Sequence, residues 1–426
     1  MSVRSPDMVA PSGTADELAS LRPHAPPAGM PVPASEPALD EPMVINIGPH
    51  HPSTHGVLRL VVEVEGERVR GCTPDIGYLH TGIEKTFESK IYVKGVTLAP
   101  RMGYLSPIHN ELAYVLAVEH LLGVAIPERA RLTRVILLEL DRIASHLVFL
   151  GIHALDLGAT SPMLYCFRER ELILDLFEMT GGQRMFPSYI RPGGLAYELP
   201  AGFEGAVGAI LDRMPGMIDE YEGLLTANPI WRERTIGVAA ITKEDALALG
   251  VTGPTLRATG VAWDLRKQRP YCGYDEFDFD VPLGKHGDAY DRYRVRVGEM
   301  RQSVRIARQA LDRLRPGPHI TDDRKVAPPP KAELATSMES VIHHFKLWTS
   351  GFAPPPGEAY VGVEAPRGEI GMYVVSDGTG RPYRVHMRSP SFTNLQALET
   401  MVKGELLADL VTAVASLDPV LGEVER

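Results

Sequence analysis

Three imidazoles fall close together, His50, His51 and His55, in the run Gly48-Pro49-His50-His51-Pro52-Ser53-Thr54-His55-Gly56. Prolines and glycines on both sides fix the backbone, so the rings are presented from a shaped turn. Imidazole exchanges protons near neutral pH and is also the commonest metal ligand, so the run suggests proton chemistry or a metal site. The H-x-x-x-H spacing of His51 and His55 puts both on one face only in a helix, which Pro52 disfavours. No H-E-x-x-H or C-x-x-C completes a ligand set, so no metal is expected. A second pattern runs through 128–157, whose apolar spacing predicts a helix. Glu139, Arg142, His146, His153 and Asp156 fall on it. At about 100° per residue they occupy a wedge roughly 100° wide on a helix otherwise made of Val, Ile, Leu and Phe. Such a stripe is a solvated face, a set of internal ion pairs, or a buried proton path. Tyr104, in Pro100-Arg101-Met102-Gly103-Tyr104-Leu105-Ser106-Pro107, stands just before a helix. A phenol there is either a packed aromatic with one hydrogen bond or a donor to a carbonyl that gains charge.

The rest of the chain must position these groups. With 426 residues it can bury a large core in two or three structural units. A net charge of −10 argues against nucleic-acid binding, which wants a basic surface. The most apolar stretch, Val135 to Leu157, is interrupted by Glu139, Asp141, Arg142, His146, His153 and Asp156, so it is not a membrane span. The start of the chain lacks a signal-peptide core. Cys72, Cys166 and Cys272 are too few and too scattered for a tetranuclear iron–sulfur cluster or a disulfide framework. No G-x-G-x-x-G after a strand, P-loop or G-x-S-x-G elbow is present.

Residues 1–42 hold 9 of the 36 prolines among Ala, Ser and acidic residues and read as a disordered tail. Alternation from Val57 to Val64, a turn at 65–68 and a run from Val69 to Thr73 predict a small sheet. Helices are expected over 107–123, 128–157, 161–182, 203–226, 288–314, 333–348 and 394–415. Residues 357–387 read as an antiparallel meander with a turn at Asp377-Gly378-Thr379-Gly380. The fold class is therefore α+β, predominantly α: a long-helix bundle with a small N-terminal β-sheet and a C-terminal β-meander. The segments are the tail 1–42, the N-terminal sheet and site loops 43–106, the bundle 107–356, and the meander and last helix 357–426.

The histidine run through Arg59 resembles a signature of the 49-kDa (D-type) subunit of respiratory complex I, NADH–quinone oxidoreductase. So do Gly77-Tyr78-Leu79-His80-Thr81-Gly82-Ile83-Glu84-Lys85, Asn110-Glu111-Leu112, Leu138-Glu139-Leu140-Asp141-Arg142-Ile143-Ala144-Ser145-His146-Leu147, Arg266-Lys267-Gln268-Arg269-Pro270-Tyr271, Asp291-Arg292-Tyr293 and Gly422-Glu423-Val424-Glu425-Arg426. The resemblance spans about residues 43–426. It departs at Gly103, where aspartate is frequent, at Thr81 for arginine, at His50 for glutamine, and across 412–419.

The resemblance implies a fold like the large subunit of nickel–iron hydrogenases with the metal lost. Gly103 and Ser106 stand at the cysteine positions of the first nickel motif, Val420 and Glu423 at those of the second. Without thiolates nickel is not held, and the vacated cavity is implied to receive a quinone headgroup (ubiquinone or menaquinone). His55 and Tyr104 are then the quinone-binding pair. Asp156 pairs with His55, His51 lines the site, and His146, His153, Glu139 and Arg142 continue a proton relay. The implied partners are an iron–sulfur subunit carrying the terminal tetranuclear cluster, a 30-kDa-type hydrophilic subunit and a membrane subunit closing the quinone channel. NADH is used elsewhere in the complex, and the implied location is peripheral, on the cytoplasmic face of the cell membrane. The alternative is a non-catalytic scaffold in a paralogous membrane redox complex with another electron donor.

Overall fold

The computed structural model describes residues 42–49 and 57–426. The proline-rich tail up to residue 41 and the loop 50–56, with His50, His51 and His55, lie outside the described residues. Alternation builds the first sheet. In Arg59–Glu65 (β2), Leu60, Val62 and Val64 are buried while Glu63 points to solvent, as a two-residue period requires. β2 pairs antiparallel with Arg68–Asp75 (β3) and, on its other edge, with Met43–Ile47 (β1). β1 is absent from the sequence-based expectation. Its five residues adjoin the proline-rich tail, and two of them, Met43 and Val44, stay exposed, so no alternation marks it.

Five long helices form where the apolar spacing predicts them: Pro107–Leu122 (α1), Glu128–Asp156 (α2), Thr160–Gly181 (α3), Phe203–Leu225 (α4) and Ala289–Arg313 (α5). Proline opens α1 at its first turn, where a missing N–H costs nothing. α2 is the axis. It packs against α3 and α5 and is buried on nearly every face. Its polar stripe is therefore interior, and the solvated-face alternative fails.

Two expected helices are broken. The 333–348 segment is a short 3-10 turn, Lys331–Ala335, followed by a helix Met338–Thr349 whose start Ser337 caps by accepting from the Ser340 N–H. The 394–415 segment is three helices, Pro390–Leu395, Leu398–Val402 and Leu407–Leu417 (α6). The last break falls at Gly404, with φ +86°, where the chain leaves the helix to bond β3: Gly404 N donates to Val69 O at 2.7 Å and Val69 N to Glu405 O at 2.9 Å. Apolar residues on both sides of the break face one core made with Leu60, Val62 and Val64, so a helical period persists through it.

Gly357–Ala365 (β4), Gly368–Ser376 (β5) and Arg384–Arg388 (β6) form an antiparallel meander packed against α1. Ala365 pairs with Gly368, so Pro366 and Arg367 make the first hairpin turn. Cys72 and Cys166 are buried thiols, and burial pushes Cys72 up to about 12. No described helix is long and apolar enough to cross a membrane.

Candidate functional site

Tyr104 sits in the turn between a short helix, Ala99–Met102, and α1. Asn110, from the first turn of α1, donates to the carbonyls of Ser106 at 3.0 Å and Gly103 at 3.3 Å, and so pins this turn. The C-terminal segment closes against it. A Cβ on Gly422 would stand 2.6 Å from Met102 O and 3.0 Å from Tyr104 Cε1. A Cβ on Gly103 would run into Asn110 Nδ2 and stand 2.9 Å from Glu423 Oε2. Glycine at both positions is what permits the approach. The segments Arg101–Ser106 and Asp418–Glu423, far apart in sequence, thus meet. Gly103 approaches Glu423 directly, while Ser391 accepts from the Val420 N–H and donates to Glu423 Oε1.

Arg367, from the tight turn between β4 and β5, is buried and ties the two segments. Its Nε donates to Asp418 O at 2.9 Å, Nη2 lies 3.1 Å from Asp418 Oδ2, and Nη1 reaches Ser106 Oγ at 3.4 Å. Asp418 itself adopts φ +55° at the end of α6, which aims its carboxylate back toward this arginine. Burial raises the Tyr104 phenol, and the Arg367 charge opposes that rise. Burial likewise raises Glu423, whose Oε2 finds no hydrogen-bond partner among the described residues. The arrangement is a half-buried phenol beside a buried cation and two buried acids. Such a site suits hydrogen-bond donation to an oxygen that becomes negative.

The C-terminal segment is also tied to the Gly77–Lys85 run. His80 Nδ1 meets Glu425 O at 2.6 Å, and Arg426 Nε donates to Glu84 Oε1 at 3.0 Å. A cavity of about 440 Å³ opens between them, lined by His80, Glu84, Arg384, Phe392, Val424 and Arg426 among others.

The α2 stripe is an interior network. Glu139 accepts from Tyr274 OH and Ser303 Oγ, each at 2.6 Å, and from Arg266 Nη1 at 3.2 Å to both oxygens. Burial alone would raise it, but Arg142 and Arg266 hold it below the ordinary carboxylate value. Arg142 Nη2 also donates to Glu364 O at 2.6 Å. His146 Nε2 lies 2.8 Å from Glu299 Oε2, and Glu299 in turn binds Arg257 at 2.7 Å. Burial pushes His146 down to about 4. His153 is buried between the rings of Phe149 and Trp231, 5.3 and 4.8 Å away, and burial pushes it down to about 3. Burial thus favours the neutral form of both imidazoles. Asp156 ends α2 half-buried.

Of the residues expected at the site, Tyr104 lies at the junction of the two approaching segments. Glu139, Arg142, His146 and His153 line the interior of α2, and Asp156 marks its end. His51 and His55 fall outside the described residues. The sequence reading missed Arg367 and Ser391 and gave Asn110, within a family-like run, no role. Arg367 occupies a Pro-Arg-Gly turn between strands, where a charge ordinarily faces water, so nothing local marks it as buried. Among the described residues no three His, Cys, Asp or Glu side chains group as a metal site.

Residues 156–426 match the family model described as "Respiratory-chain NADH dehydrogenase, 49 Kd subunit". The chain is 66% identical over 389 residues to the second D-type subunit of NADH-quinone oxidoreductase from Roseiflexus sp. (strain RS-1), covering 91% of this chain and 93% of that one. Against the second D-type subunit of the Chloroflexus aurantiacus oxidoreductase it is 63% identical over 397 residues, covering 92% and 97%. Against the D-type subunit of the Geotalea uraniireducens oxidoreductase it is 54% identical over 389 residues, covering 91% and 100%. With the family model matching more than half of the chain and relatives of 54–66% identity covering nine-tenths of it, the chain belongs to the family of the 49-kDa (D-type) subunit of NADH–quinone oxidoreductase.

Proposed function

We propose that this chain forms most of the quinone headgroup site of a proton-translocating NADH–quinone oxidoreductase. The observation that carries the reading is the packing of Tyr104 against Gly422, with Arg367 and Glu423 beside it. Reduction of a quinone to a quinol takes two electrons and two protons, and negative charge develops on its oxygens. A fixed phenol donor in a water-poor site stabilises one oxygen. His55 serves the other, with Asp156 orienting and charging its imidazole and His51 lining the same loop. Arg367 adds a buried positive charge that favours the developing oxyanion.

The electrons come from a tetranuclear iron–sulfur cluster on a neighbouring subunit. A 30-kDa-type subunit and a membrane subunit closing the channel complete the partners, which puts this chain peripherally on the cytoplasmic face of the membrane. Along α2, burial favours the neutral form of His146 and His153. A neutral imidazole relays a proton by accepting at one nitrogen and releasing at the other. Glu139 and Arg142 stay charged and set the potential along that route.

A map of the assembled complex with a short-tailed quinone bound tests the reading. A headgroup oxygen is expected about 2.6–3.2 Å from Tyr104 Oη. A headgroup bound out of reach of Tyr104 sinks the proposal.

A further inference from the structure

Behind the Tyr104 turn lies a buried acid that the proposed reaction does not use. Asp141, on α2, faces His109, on the first turn of α1, and both are fully buried. His109 Nδ1 lies 2.8 Å from Asp141 Oδ2, and the His109 backbone N–H donates to the same oxygen at 3.3 Å. On the far side of the ring, Arg142 Nη2 stands 3.4 Å from His109 Nε2. An arginine can only donate, so Nε2 is the accepting nitrogen and Nδ1 carries the hydrogen. Asp141 Oδ2 therefore receives two donors. Oδ1 finds no hydrogen-bond partner among the described residues, which leaves it as the oxygen free to hold a proton.

Charged groups face this pair from every side. Arg142 and His146 lie on α2 itself, Arg170 on α3, Arg266 on the short helix Leu265–Gln268, Arg367 on the β4–β5 turn, and the buried acid Glu111 on α1. Burial pushes Asp141 up to about 8 against the pull of the His109 N–H and the arginines, and holds His109 well below its usual value. Arg367 is common to both sites: its charge acts on Asp141, on His109 and on the Tyr104 phenol, and its guanidinium touches Ser106 and Asp418.

We propose that Asp141 is a positioning residue for the quinone site: paired with His109 it holds one exchangeable proton, and through Arg367 that proton sets how readily Tyr104 gives up its own. When Asp141 is protonated, the Arg367 field is uncompensated from that side and stabilises negative charge at Tyr104. When Asp141 ionises, its carboxylate takes part of that field and Tyr104 becomes a poorer donor. The coupling is reciprocal, so charge appearing at Tyr104 draws a proton toward Asp141. At the pair only the O–H of Asp141 is made or broken, its proton exchanging with water; the proton that Tyr104 releases goes to the quinone oxygen it faces. The inference rests on the quinone-site reading.

The test is the pH profile of quinone reduction in membranes carrying the whole complex, normalised to NADH–ferricyanide reduction. In the parent, the ratio is expected to fall by up to about tenfold between about pH 7 and about pH 9. Asp141→Asn, permanently neutral, flattens that fall to within about twofold, and Asp141→Glu restores it. Glu111→Gln leaves it in place. Should Asp141→Asn fail to assemble, His109→Phe serves instead. It removes the Nδ1–H donor to the carboxylate and moves the fall to higher pH. A fall unchanged in Asp141→Asn, unmoved in His109→Phe, or abolished only by Glu111→Gln overturns the proposal. Tyr104→Phe in the same membranes separates the two readings. If it lowers quinone reduction while the Asp141 profile is unchanged, only the coupling is wrong; if it has no effect, the quinone-site reading itself fails.

Discussion

Glu139→Ala is expected to destabilise this protein by about 3–5 kcal/mol, a large part of the roughly 5–15 kcal/mol that holds a native domain together. The carboxylate is fully buried and receives Arg266, Tyr274 and Ser303, with Arg142 Nε at 3.4 Å. Removing it leaves the Arg142 charge without its carboxylate partner. Arg266 keeps Asp264 at 2.7 Å, so the loss falls mainly on Arg142 and on the two orphaned hydroxyls. Glu139→Gln keeps one acceptor oxygen in place and costs less. The readout is the midpoint of heat-induced loss of this chain from solubilised complex, together with its amount in membranes. A midpoint within a degree or so of the parent for Glu139→Ala contradicts the account of α2 as an interior charge network.

The second large effect is functional. Arg367→Ala is expected to lower quinone reduction by about 10²-fold while NADH–ferricyanide reduction holds. The change strips the cation that offsets Asp418 and opposes the burial of Tyr104, so the phenol becomes a weaker donor. Arg367→Lys keeps the charge but loses the fork that spans Asp418 and Ser106, and a loss of about tenfold is expected. Equal losses in Lys and Ala would show that the fork matters and the charge does not; no loss in either removes Arg367 from the site.

Much of this molecule is legible in its sequence. Where one face of an element meets one core, the period survives: β2 alternates, and α1 to α5 appear where the apolar spacing predicts them. The turn that carries Tyr104 is legible, because a proline-opened helix start is a local feature. What the sequence hides is long-range. Gly103 meets Glu423 and Ser106 meets Arg367 across hundreds of residues; the first approach is implied only through the resemblance, which puts both residues at ligand positions of one lost nickel site, and no local pattern encodes the second. The α2 stripe shows the same limit. Its spacing is visible, but whether it faces water or the core is decided by α3 and α5, which cover it. The break at Gly404 is hidden because both flanking helices feed one core.

The central claim is that Tyr104 works at the quinone end of the electron path, and Tyr104→Phe tests it most directly. The change removes one hydroxyl and leaves the ring that packs on Gly422. Membranes are compared for NADH-to-quinone and NADH-to-ferricyanide electron transfer. The account predicts that quinone reduction falls by about 10²-fold while ferricyanide reduction is unchanged. Both rates unchanged would contradict it and favour a scaffold role for this chain.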